Sequence, residues 1–350
     1  MNTRQKIDDI DIKIIKTLLK EPRTSFAKIA KECDLSSTSI RNRFNILKKS
    51  GIINGAITQV NPISFGYKCI AFAYIELASR EQPEVLEFLN DQQFAIDEAR
   101  LTGRHSIVGF VVAKDTDDLS YIVKQIQYHP SIRSISTAIW IDMTHMDHPE
   151  NLIIEPYDKL LKSNVKQRME RARPASTSKQ TDVNLEPTTK KISTIKQLDK
   201  IDVAIVKLLS KNARLSFRKI AEKLGISPNN VIKRYNELRK EILSFSSITV
   251  NLEKLGYIGT AVIYIKVSRK CSVNETFCQI LQVPNLICAI KIFNHSDILV
   301  LVPFRALDDL DDLTEVFYNV HGVDEIDIKV DKPFKKWPLN VITELILKKL

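Results

Sequence analysis

In the stretch "LSSTSIRNRFNILKK", Thr38, Ser39, Arg41, Asn42 and Asn45 fall on one side of a helical wheel, while Ile40, Phe44 and Leu47 line the other. That outer set carries recognition chemistry. A guanidinium such as that of Arg41 can fork onto O6 and N7 of guanine, and the carboxamides of Asn42 and Asn45 match the N6 and N7 edge of adenine. Arg43, Lys48 and Lys49 supply cations for phosphates, and Ser37, Thr38 and Ser39 supply hydroxyls at the start of the helix. The stretch holds four basic residues and no acid.

A second stretch, "ISPNNVIKRYNELRK", repeats the arrangement with Val231, Tyr235 and Leu238 inside and Asn229, Asn230, Ile232, Lys233, Arg234, Asn236 and Arg239 outside. The two are not equivalent. Arg41 is replaced by Ile232 and Asn42 by Lys233, while Glu237 and Glu241 dilute the charge. Ile232 can touch a thymine methyl, so the pair is expected to differ in base preference, or the second to bind more weakly. A solvated face of an ordinary helical bundle is the competing reading. The caps, the turn, the acid-free face and the recurrence favour double-stranded DNA.

Each stretch needs a scaffold that holds its polar face outward. Ile7, Ile10, Ile14, Ile15 and Leu18 recur at helical spacing, as do Leu198, Ile201, Ile205 and Leu209. Pro22 ends the first helix, and Ser25 is placed to cap a second built on Phe26, Ile29 and Ala30. A tight turn follows at Asp34-Leu35, matched by Gly225-Ile226, and Ser36 and Ser227 are placed to cap the third helix. Short helix, turn and capped helix make a helix-turn-helix. The whole segment aligns with its later copy without a gap from Ile7 against Leu198, pairing Asp8 with Asp199, Asp11 with Asp202, Arg23 with Arg214 and Arg43 with Arg234. Such a match is too long for a solenoid repeat and fits two fused two-domain units.

Behind each bundle the pattern changes to strand, helix, two strands, helix, strand. The first copy reads "KCIAFAYIEL", "PEVLEFLND", "AIDEARLTGRHSIVGFVVA", "DDLSYIVKQIQYH" and "IRSISTAIWIDM", and the second follows suit. This is the βαββαβ order of a ferredoxin-like domain, with two helices on one face of an antiparallel sheet. The other face is apolar, so it is expected to be buried against a second such sheet, in the same chain or in another. Residues 162–194 turn polar and Ser/Thr-rich from Pro174, which predicts a flexible basic tether.

The bulk properties limit the alternatives. With 350 residues, 44% hydrophobic and 27% charged, the chain has the composition of a globular protein, and its net charge of +10 is compatible with a polyanion. No signal peptide or membrane-spanning run is evident, which points to the cytoplasm and away from membranes. Five cysteines without a CxxC pair read as reduced core residues. "HMDH" at residues 145–148 brings two imidazoles near an acid, but His105, His129, His295 and His321 are scattered. No metal and no cofactor is expected, and no phosphate loop, GxSxG elbow or HExxH occurs.

Taken in order, "IDDIDIKIIKTLLKEPRTSFAKIAK", "LSSTSIRNRF" with "LKKSGII", "NPISFGY" and "LTGRHS" resemble the Lrp/AsnC family (leucine-responsive regulatory protein/asparagine-synthase regulator) of transcription factors. The resemblance covers nearly all of both copies. It implies an α+β chain with two winged-helix/helix-turn-helix domains and two ferredoxin-like βαββαβ domains. The expected division is 1–60 and 195–250 for the DNA-binding domains, 61–157 and 251–335 for the α/β domains, 158–194 for the linker and 336–350 for an amphipathic C-terminal helix.

It further implies homo-oligomerisation through the α/β domains and an amino-acid-like effector held near the turn between strands two and three. By position that turn is Gly103, Arg104, His105 and Ser106, and in the second copy Asn294, His295, Ser296 and Asp297. The family pattern of a Gly, two variable residues and an Asp is incomplete in both, since the first has Ser106 and the second Asn294. Siroheme decarboxylases are similar to this family and form the enzymatic rival. An assembly scaffold that does not touch DNA is the third reading.

Overall fold

A computed structural model describes residues 7–78, 83–91, 94–96, 107–141, 146–155, 198–294, 296–348 and 350. The expected tether, residues 158–194, lies outside them. Each copy opens with three helices: α1 (Asp9–Lys20), α2 (Phe26–Cys33) and α3 (Ser37–Lys49) in the first, α6 (Lys200–Lys211), α7 (Phe217–Leu224) and α8 (Pro228–Glu241) in the second. Local chemistry sets their ends. Asp8 accepts from the Asp11 N–H in a capping box, Ser25 and Ser36 cap α2 and α3, and Ser216 and Ser227 do the same in the second copy. The turn between α2 and α3 is left-handed at Asp34 (φ 53°), where the second copy has Gly225 (φ 66°).

The strand after each bundle does not stay with its own copy. β1 (Ile53–Val60) pairs antiparallel with β6 (Leu243–Val250), Ala56 opposite Ile248, to form a two-stranded ribbon between copies. α1 lies against β6 and α6 against β1, and the Ser247 hydroxyl donates to the Leu19 carbonyl at 2.8 Å. Each three-helix bundle is thereby wedged against a strand supplied by the other. Ile14, Ile15, Leu18, Ile40, Leu47, Ile248 and Val250 share one buried cluster.

The α/β domains contain β2 (Cys69–Leu77), α4 (Pro83–Asp91), β3 (Phe94–Ile96), β4 (Ile107–Ala113), α5 (Thr116–Gln127) and β5 (Ile132–Trp140) in the first copy. The second has β7 (Gly259–Val267), α9 (Val273–Ile280), β8 (Cys288–Phe293), β9 (Ile298–Phe304), α10 (Asp309–Tyr318) and β10 (Val323–Asp331). One antiparallel sheet runs through both in the order β10-β7-β9-β8-β5-β2-β4-β3, joined where Ile139 meets Phe293 and Trp140 meets Ile292. Alternation along the strands sends Ala71, Ala73 and Ile75 into one core with Val85, Leu89, Ile122 and Ile126 of the helices, and Phe72 and Tyr74 to the opposite face.

That opposite face is covered within the chain. Phe72, Tyr74, Phe110 and Trp140 share a cluster with Val262, Tyr264, Ile290 and Leu299, and the Tyr264 hydroxyl donates to that of Tyr74 at 3.0 Å. The apolar faces of the two α/β domains thus cover each other within one chain, one of the two pairings that the sequence left open. The C-terminal helix α11 (Val341–Lys348) buries Leu345, Ile346 and Leu347 in the same cluster, and Thr343 accepts from the Val60 N–H at 3.1 Å. It packs on its own chain.

Candidate nucleic-acid interface

With their apolar stripes fixed against the bundles, α3 and α8 leave the other side to solvent. Ser37, Thr38, Arg41, Asn42, Asn45, Lys48 and Lys49 are exposed on α3, as are Asn229, Asn230, Ile232, Lys233, Asn236 and Arg239 on α8. Ile232 stands 39% exposed, an isolated apolar side chain on a polar face. Ser39 is half-buried, its hydroxyl 2.9 Å from that of Ser36. Lys240 is engaged by Glu237 at 2.8 Å, so α8 offers fewer uncommitted cations than α3.

Arg43, expected at a phosphate, and Arg234, expected on the DNA-facing side, are each ion-paired to their own bundle. Arg43 Nη1 donates to Asp8 at 2.8 Å and to Asp11 at 3.0 Å, and Arg234 Nη1 donates to Asp199 at 2.7 Å and to Asp202 at 2.8 Å. The hydrogen bond to Asp11 is the main cause holding the Arg43 guanidinium above its ordinary pKa, and Asp202 does the same for Arg234. Both arginines brace the third helix to the first. The signal was present in the self-alignment, where Asp8, Asp11 and Arg43 recur together as Asp199, Asp202 and Arg234.

Sequence reasoning assigned no role to the pair that fixes the two readers relative to each other. Arg23 Nη1 donates to the carbonyls of Ala213 (2.6 Å) and Leu215 (3.1 Å) in the second copy. Arg214 Nη1 donates in return to the carbonyls of Pro22 and Thr24. Each guanidinium also covers an aromatic ring of the other bundle, Arg23 over Phe217 at 4.1 Å and Arg214 over Phe26 at 4.8 Å. Burial lowers the pKa of both, and for Arg214 the charge of Arg23 adds to it.

The expected effector turns are met only in part. Gly103, Arg104, His105 and Ser106 lie outside the described residues, as does His295. Asn294 donates from Nδ2 to the Thr137 carbonyl of the first copy at 2.7 Å, and Asp297 accepts from the Val267 N–H at 2.8 Å. Ser296 is half-buried. Asn294 and Asp297 therefore brace the junction and the hairpin. Of "HMDH", His145 is outside the described residues, His148 faces Glu150, and Asp147 is buried and accepts from Gln59 Nε2 at 2.8 Å. Among the described residues no group of three His, Cys, Asp or Glu is placed to hold a metal. Cys69 and Cys288 are buried, and Cys33, Cys271 and Cys278 half-buried, all five as free thiols. Between the two α/β halves lies a cavity of about 70 Å³.

The AsnC-type helix-turn-helix domain matches residues 198–239, and a winged helix-turn-helix DNA-binding domain matches residues 7–54. The HTH-type transcriptional regulator LrpA of Pyrococcus horikoshii is 32% identical over 117 residues, which is 33% of this chain and 83% of that protein. The regulatory protein AsnC of Escherichia coli is 32% identical over 135 residues, 38% of this chain and 89% of that protein. Each of these two relatives thus matches roughly one copy. The siroheme decarboxylase NirDL is similar in fold, with a TM-score of 0.58 at 12% identity over 97% of each chain. No helix among the described residues is long and apolar enough to cross a membrane.

Proposed function

The chain belongs to the Lrp/AsnC family of helix-turn-helix transcription regulators, and from that premise we propose that it reads an asymmetric DNA site with two non-identical helices held in one polypeptide. The observation that carries this reading is the exposed face of α3. Arg41, Asn42 and Asn45 are exposed there, with chemistry suited to base edges, and Lys48 and Lys49 are exposed beside them, with charge suited to phosphates. α8 presents Ile232 and Lys233 in the corresponding places, which suits a half-site of different sequence. A twofold homodimer would demand two like half-sites, and a fused pair escapes that constraint. Dimeric helix-turn-helix proteins set their readers about one DNA turn or a multiple apart. Here the β1–β6 ribbon and the Arg23–Arg214 contact perform that spacing.

A non-enzymatic role fits the interior. The cavity of about 70 Å³ between the α/β halves is well below the roughly 300–1,000 Å³ of pockets that enclose drug-sized ligands, and a tetrapyrrole is larger still. The likeness to NirDL concerns the fold.

Affinity measured against salt tests the proposal. With Arg43 and Arg234 committed to their bundles, about three phosphates per unit remain to be neutralised, giving a log–log slope near about −5. Fluorescence anisotropy on a site selected from random DNA should return that slope. A slope near zero on every sequence would sink the reading.

A further inference from the structure

The segment that follows β10 does not stay with the α/β domains. The Phe334 carbonyl accepts from the Leu252 N–H at 2.9 Å, and Trp337 exchanges backbone hydrogen bonds with Val250, donating at 2.9 Å and accepting at 2.8 Å. Residues 334–337 thus lie beside the end of β6, where the Asn251 N–H in turn donates to the Ile52 carbonyl at 2.9 Å. The Asn54 carboxamide, just past the end of α3, donates to the Lys335 carbonyl. A segment of the second copy is in this way brought to the foot of the first reader.

What it brings there is charge. Lys335 and Lys336 are exposed, as is Lys254, whose ammonium donates to the Ser50 carbonyl at the C-terminal end of α3. They join Lys48 and Lys49 of the last helical turn. Within residues 48–54, 250–254 and 334–337, Glu253 is the one acid. Lys332 is set apart, because it lies against the Asp331 carboxyl. Like charges gathered with so little acid repel one another, and a polyanion relieves that repulsion.

The second reader is built differently at the matching place. Ser64 stands where the other copy has Lys254, donating from Oγ to the Glu241 carbonyl at 2.6 Å, so the hydrogen bond recurs without the charge. Glu237 engages Lys240, Glu241 closes the helix, and the stretch after β5, "IDMTHMDH", holds no Lys or Arg. Resting on the DNA reading above, we propose that Lys254, Lys335 and Lys336 form a phosphate-binding surface for the DNA backbone just outside the half-site read by α3, without an equivalent beside α8. The footprint is therefore longer on the α3 side.

The test compares the full chain with the double variant Lys335→Gln/Lys336→Gln, in which both replaced side chains are exposed. The α3 half-site is identified as the one whose base choice Arg41→Ala relaxes. On a duplex that ends at the two half-sites, both proteins should bind alike, with a log–log salt slope near about −5. Adding about six base pairs, roughly 20 Å, beyond the α3 half-site should steepen the native slope to about −7 and tighten binding about tenfold at about 0.1 M salt, and should do neither in the variant. The same addition beyond the α8 half-site should produce no steepening. Arg269→Gln/Lys270→Gln removes equal charge at the other end of β7 and should behave as the native chain does. A double variant that keeps the flank effect, equal loss on trimmed and extended duplexes, or equal steepening from either flank overturns the proposal and leaves the DNA reading standing. Salt-independent binding on every duplex overturns both.

Discussion

Arg23 and Arg214 each grip the backbone of the other's copy, Arg23 at Ala213 and Leu215 and Arg214 at Pro22 and Thr24. The exchange is reciprocal, as a twofold contact would be, yet it occurs inside one chain. Each arginine also covers the rings that support the opposing reader, Phe217 and Tyr235 on one side and Phe26 and Phe44 on the other. Replacing Arg23 with Ala removes charge-assisted bonds and leaves two carbonyls to find other donors. A loss of stability of about 1–3 kcal/mol is expected, read from the urea midpoint. DNA affinity should fall more on a full site than on either half-site alone. Equal losses on full and half sites would mean that the pair does not set the spacing.

Arg41 and Lys48 lie on the same exposed face but are assigned different work. Arg41→Ala should cost about 1–3 kcal/mol on the preferred site and relax base choice at one position. Lys48→Ala should weaken selected and random DNA alike and make the salt slope shallower by about 1. Competition binding with both DNA types separates them. Identical behaviour of the two variants would show that α3 does not lie in the groove as described.

Much of the architecture can be read from residues alone, because its causes are local. Ser25, Ser36 and Ser227 announce helix starts, the stripes of Ile40, Phe44 and Leu47 fix which way α3 faces, and the repeat from Leu198 shows a second unit. What the sequence does not carry is the identity of long-range partners. An apolar sheet face bearing Phe72, Tyr74 and Trp140 demands cover, but nothing in its pattern distinguishes a second chain from the second copy. The ribbon is similar, since β1 and β6 alternate equally well whichever strand lies opposite. The Arg43 ion pairs escape a sequence reading for a related reason. A cation on a helix looks free until the acids of α1, one capping box away, are brought beneath it.

Those acids give a direct prediction. Arg43 is 32% exposed and meets Asp11, which is 12% exposed, so solvent screens the pair only in part. A double-mutant cycle between Arg43→Met and Asp11→Asn should return a coupling of up to about 1 kcal/mol in thermal or urea unfolding. Neither change should alter the salt slope of DNA binding if Arg43 serves only to brace the third helix to the first. A slope shallower by a full unit in Arg43→Met would restore the phosphate role.

Asp147 predicts a pH dependence with a definite sign. It is buried at the foot of the ribbon, bonded to Gln59 and close to His148, Glu150 and Cys288. Burial is the main cause raising its pKa to about 7 from an ordinary value of 3.8, with Gln59 and His148 opposing and Glu150 assisting. The folded state therefore holds this proton over a range where the unfolded state has released it. Its contribution to stability is full below about pH 4 and is lost as pH rises through about 7. Asp147→Asn keeps an acceptor for Gln59 and removes the ionisation. The stability of the variant relative to the native chain should thus grow between pH 5 and 7.5, by on the order of a few kcal/mol, and then level off. A difference that stays flat across that window would place the Asp147 carboxylate in contact with water.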